Sequence, residues 1–99
     1  MLIWKRERYI QLKITDVRVR LFQNEESKLK AFASITIDEC FVVHDIRVLE
    51  GSQGVYIKMP SRKTADGESK DVAHPLNTET REMISKLVLA KYEEEKANA

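Results

Sequence analysis

Arg62, Lys63 and Lys70 bracket the Asp-Gly turn in "MPSRKTADGESKDVAHPLN", and Lys58 stands just before Pro60. Arginine grips phosphate or a guanine edge through two parallel N–H bonds, and lysine supplies point charge. Four cations face Asp66 and Glu68, so a polyanion is the ligand chemistry this stretch fits; Arg81, a few residues on, is a candidate to extend it. A solvated polar loop is the plainer alternative. The strand arginines Arg18, Arg20 and Arg47 either extend the cationic patch or pair with neighbouring acids.

Other chemistry is harder to assemble. His44, His74 and Cys40 are the only soft ligands, and they lack the clustered spacing of a zinc site. His44, on an apolar strand face, reads as a hydrogen-bonded core histidine. Asp45 is its neighbour on an extended strand and should point to the opposite face, which argues against an acid–base pair. Ser34 and Ser61 have no identifiable base, and the three glycines look like turn residues rather than a phosphate loop. We therefore expect no enzyme, no metal or other cofactor, and no small-molecule substrate.

The elements that must position these residues follow from periodicity. Residues 13–22 alternate Val17, Val19 and Leu21 against Asp16, Arg18 and Arg20, as a half-buried strand does. Leu12 and Ile14 have the opposite parity, which places a bulge near Thr15 or covers both faces there. In the next strand Leu29, Ala31, Ala33, Ile35 and Ile37 share one face. Asp38-Glu39 forms a tight turn into a third strand, with Cys40, Val42, His44, Ile46 and Val48 expected on one face. "EGSQG" turns into a fourth strand, Val55, Ile57 and Met59 together, which Pro60 ends.

Asn77 or Thr78 caps a final helix, with Glu79 in its first turn. Met83, Ile84, Leu87, Val88 and Ala90 form its apolar arc, with Leu89 and Tyr92 off centre; this second greasy side implies a further contact, within the fold or across a dimer. The fold class is α+β: a four- to five-stranded antiparallel meander followed by a C-terminal helix.

The chain has 99 residues, a formal charge of +1 and 42% hydrophobic residues, as expected of one soluble globular domain. Any attraction for nucleic acid must therefore come from local clustering. A single cysteine fits a reducing cytoplasm, and no apolar run is long enough to span a membrane.

"ITDVRVR", "AFASITIDECFVVHDIRVLEG" and "MPSRKTADGESKDVAHPLN" closely resemble the SpoVG family of stage V sporulation and septation proteins. The resemblance implies a homodimer with exchanged C-terminal helices. It also implies a cytoplasmic regulator of septation, cell division and sporulation that binds DNA, RNA or both. Binding in the family is tied to basic residues of loop and helix, which match Arg62, Lys63, Lys70 and Arg81 here. His74-Pro75 matches a family motif that reads as structural. Lys58 stands where relatives often carry a small residue, and Ala65 replaces a common proline, which should loosen the loop. Residues 12–99 form the single domain; residues 1–11 read as an N-terminal extension, with translation expected to start at Leu12 from a UUG codon. The alternative is a module that contacts proteins of the division machinery without touching nucleic acid.

Overall fold

A computed structural model describes residues 12–22, 24 and 26–99; the expectations for residues 1–11 lie outside them. Four strands, β1 (Ile14–Leu21), β2 (Leu29–Ile37), β3 (Phe41–Gly51) and β4 (Gly54–Lys58), form one antiparallel sheet in the order 1-2-3-4. Two three-residue strands, β5 (Ser61–Lys63) and β6 (Ser69–Asp71), pair as a separate hairpin, and α1 (Thr78–Ala97) follows. The meander and C-terminal helix are as the alternation predicts. What reads as a loop after Pro60 is itself a hairpin.

The bulge expected near Thr15 is present, as a register shift between Ile14 and Asp16. It frees the Thr15 hydroxyl to accept from the Glu39 N–H at 3.0 Å and to face the Thr36 carbonyl at 3.3 Å. The start of β1 is thereby tied to the β2–β3 turn. In that turn Asp38 and Glu39 both have positive φ, 53° and 57°, the twist a short hairpin connection needs.

The core lies on one face of the sheet. Ala31, Ala33 and Ile35 of β2, Ile46 and Val48 of β3, and Met59 are buried against Ile84, Val88 and Tyr92 of α1. Each fully buried Ile or Val contributes about 1.5–3 kcal/mol. The helix lies chiefly along β1, where Val17, Val19 and Leu21 pack against the core, and the small Ala31 and Ala33 of β2 are buried beside it. Asn77 caps α1, its side-chain oxygen accepting from the Thr80 N–H at 2.8 Å.

Two expectations about facing are corrected. Along β3, pairing shifts from Ala33 opposite Ile46 to Ile35 opposite Val43, so β3 holds one residue more than β2. Asp45, with φ +65°, absorbs it. Val43 takes the core side, and Cys40, Val42 and His44 are exposed. His44 is thus a surface residue, not a core histidine. Along α1 the buried line is Ile84, Val88 and Tyr92, while Leu87 and Ala90 are exposed. The arc sits one residue-step round from the predicted centre.

Candidate nucleic-acid interface

The β5–β6 hairpin is positioned from three places. Pro60 ends β4, and its carbonyl accepts from the Val72 N–H at 2.7 Å, which closes the root. Ser61 pairs with Asp71, Arg62 with Lys70 and Lys63 with Ser69. At the tip, the Thr64 N–H donates to the Glu68 carbonyl at 2.8 Å and the Gly67 N–H to the Thr64 carbonyl at 2.9 Å, with Gly67 at φ +87°. The Asp66 carboxylate accepts from the Thr64 hydroxyl and from the Glu68 N–H. These bonds, the hydroxyl's first, hold its pKa below the usual 3.8. The turn is therefore fastened despite Ala65.

Pairing decides which cations share a face. Arg62 and Lys70 are cross-strand partners, so their side chains leave the same side of the hairpin. Lys63 leaves the other side, with Ser69, Ser61 and Asp71. Adjacency in sequence had joined Arg62 and Lys63; strand alternation separates them and substitutes Lys70. The hairpin's three cations are matched by Asp66, Glu68 and Asp71, so its net charge is zero. Asp66 is held in the tip by its turn bonds, Asp71 shares the Lys63 side, and Glu68, opposite Thr64 and two residues from Lys70, has the parity of the Arg62–Lys70 side. Neither Arg62 nor Lys70 has an ion pair among the described residues.

The remaining predicted residues lie elsewhere. Lys58 ends β4 opposite Arg47, on the sheet face turned away from the core. Arg81 is exposed in the first turn of α1, its N–H on the Asn77 carbonyl, and no hydrogen bond or ion pair among the described residues links it to the hairpin. Arg18 is engaged by Asp16 at 2.9 Å, and this contact lowers the Asp16 pKa. Arg20 and Arg47 have no acid partner among the described residues. His74 places Nδ1 3.0 Å from the Pro75 carbonyl in the segment leading to α1.

The bulge at Asp45 has a consequence that simple alternation excluded. His44 and Asp45 both line one shallow depression of about 330 Å³ on the open sheet face, with Arg18, Arg20 and Phe32. Among the described residues the His44 side chain makes no hydrogen bond, so none orients its ring as a base. No group of three or more His, Cys, Asp or Glu among the described residues could hold a metal ion. None of the described helices is long and apolar enough to cross a membrane.

A meander with one helix on its inner face and a hairpin beyond its last strand is a small α+β protein whose polar chemistry lies on open surfaces. The chain belongs to the SpoVG family, whose model matches residues 12–94. It is 59% identical over 85 residues to a protein of Clostridium kluyveri named for septation, SpoVG, covering 86% of this chain and 88% of the relative. The SpoVG septation protein of Caldicellulosiruptor bescii is 56% identical over 82 residues, covering 83% and 92%. That of Caldanaerobacter subterraneus is 55% identical over 87 residues, covering 88% and 94%.

Proposed function

We propose that this chain is a non-enzymatic, dimeric regulator of septation and sporulation that binds nucleic acid through its β5–β6 hairpin. One observation carries the reading: Arg62 and Lys70 stand side by side on one face of a hairpin, without ion-pair partners among the described residues. Like charges opposite one another destabilise a ladder, and a phosphate between them reverses that cost. Lys63 adds charge from the other side, and Arg81 and Lys58 are secondary contacts. The septation link comes from the names of the relatives.

A two-fold dimer presents the hairpin twice. Two such pairs neutralise about four phosphates, so on duplex DNA log K should fall with log salt at a slope of roughly −3.6. Arg62→Ala with Lys70→Ala should remove most of that slope and weaken binding at least about tenfold at low salt, with the circular dichroism unchanged. Lys63→Ala should do less than Lys70→Ala. Unchanged affinity and slope in the double variant reject the site.

A second reading has its own observation. Val72 and Leu76, beside the hairpin, are 65% and 89% exposed. An apolar surface there suits a protein of the division machinery. Capture of a partner that survives nuclease treatment, with no measurable nucleic-acid affinity, would favour it.

A further inference from the structure

The sheet face turned away from α1 carries residues that a merely solvated face does not need. At one level the pairing runs straight across all four strands: Arg20 opposite Phe32, Phe32 opposite Arg47, Arg47 opposite Lys58. Directly opposed side chains are neighbours, with Cβ atoms about 4.5–5.5 Å apart. An aromatic ring is therefore flanked on both sides by cations. Arg47 and Lys58 also repel each other across the β3–β4 ladder, an arrangement that an intervening anion would relieve. None of Arg20, Arg47 and Lys58 has an ion pair among the described residues. The acids of this face are Asp16, which is tied to Arg18, and Asp45 at the bulge.

The relief of the face gives the cations a track. Phe32, His44 and Asp45 line the 330 Å³ depression beside Arg18 and Arg20. The same three residues line a second depression of about 620 Å³ that runs on to Pro60, Ser61 and Val72 at the hairpin root. Phe32 thus stands between two hollows that together lead from the β1 arginines to the hairpin. The Phe22 and Phe32 rings form a T-shaped pair, with centroids 6.3 Å apart and planes at 87°.

We propose that this open face is a single-strand nucleic-acid platform, on which an unpaired base stacks on Phe32 while Arg20, Arg47 and Lys58 hold the flanking phosphates. Stacking requires a free base face, which a duplex does not offer, and cations along a groove follow the backbone without reading sequence. The proposal rests on the nucleic-acid reading of the hairpin and deepens it: the hairpin grips phosphates, and the sheet selects unpaired strands.

The test is fluorescence anisotropy of the full chain with labelled DNA and RNA of about 12 nucleotides, within the range of comparable single-strand sites, and with the matching duplex. Phe32→Leu should weaken single-strand binding by about 5- to 100-fold and leave duplex binding within about twofold; Phe32→Tyr, which keeps the ring, should retain affinity. Arg20→Gln with Arg47→Gln, on the surface, reads the same face if Phe32→Leu unfolds the chain. It should flatten the single-strand salt slope by about 1.4 per protomer bound. Single-strand affinity within about twofold of the parent in Phe32→Leu, an equal loss on strand and duplex, or an unchanged slope in the arginine variant each overturns the platform. So does a change of sedimenting mass in Phe32→Leu, which would make the face an interface between copies. If only the Arg62 and Lys70 variant loses binding, the hairpin reading stands and the platform falls. If the parent chain binds neither probe, both fall.

Discussion

Asp66 shows how a single carboxylate organises a hairpin tip through hydrogen bonds and not through an ion pair. Its oxygen is spent on the Thr64 hydroxyl and the Glu68 N–H, inside the turn. Because those bonds favour the ionised form, the folded pKa lies below 3.8. The sign follows: the carboxylate's contribution is present above the unfolded value, about 3.9, and is lost as pH falls through the folded value. In an NMR titration the side-chain carboxyl carbon of Asp66 should hold its position from neutral pH to about pH 4 and move chiefly below that. A midpoint at or above the ordinary aspartate value would show that the turn bonds do not hold in solution. Gly67, at φ +87°, adds a conformational constraint. Gly67→Ala should cost about 1 kcal/mol, read as faster amide exchange in the hairpin rather than a lower global midpoint, because β5 and β6 pack chiefly on each other.

At the scale of elements, the helix is the sharpest test of the packing. Tyr92 is 5% exposed and Leu87 39%. Tyr92→Ala should therefore destabilise by about 3 kcal/mol or more in urea unfolding, as deletion of a buried aromatic does, and Leu87→Ala by well under 1. The reverse order would mean that the arc read from periodicity, not the observed one, faces the sheet. β4 and most of β1 and β2 are legible from alternation, and the Thr15 bulge leaves its mark as a change of parity. The slip between Leu29 and Ala31, which keeps Leu29 out of the core cluster it is expected to join, leaves none. β3 is not legible, because its alternation looks continuous from Cys40 to Val48 although the chain inserts an extra residue midway. Asp45 takes the left-handed conformation without a glycine to announce it. The one available signal was the run Phe41, Val42, Val43, which cannot all face one core. The hairpin strands are three residues long and polar, so only the Thr-Ala-Asp-Gly turn hinted at them. Composition shows the hairpin's cations, but only register says that Lys70, not Lys63, is the cross-strand partner of Arg62.

The whole molecule is expanded for its size. Its radius of gyration is 15.2 Å, against about 13 Å for a compact chain of about 100 residues. Val72 and Leu76 leave apolar surface uncovered in the link between the hairpin and α1. A chain this short buries proportionally little of its surface on folding, so a second copy seated there would supply core that one copy lacks. Exchange of α1 through residues 72–77 would keep the Ile84, Val88 and Tyr92 contacts and change only which sheet receives them. If unfolding is coupled to dimer dissociation, a tenfold rise in protein concentration adds about 1.4 kcal/mol of apparent stability. Spread over the roughly 200 residues that melt together, this should raise the melting temperature by about 3–5 °C. Val72→Ser with Leu76→Ser should lower the sedimenting mass toward that of the 11.5 kDa chain and abolish the concentration dependence. A parent protein that sediments at that mass at every concentration, with a melting temperature independent of concentration, would remove the dimer. The duplex salt slope would then halve, because one hairpin rather than two would meet the phosphates.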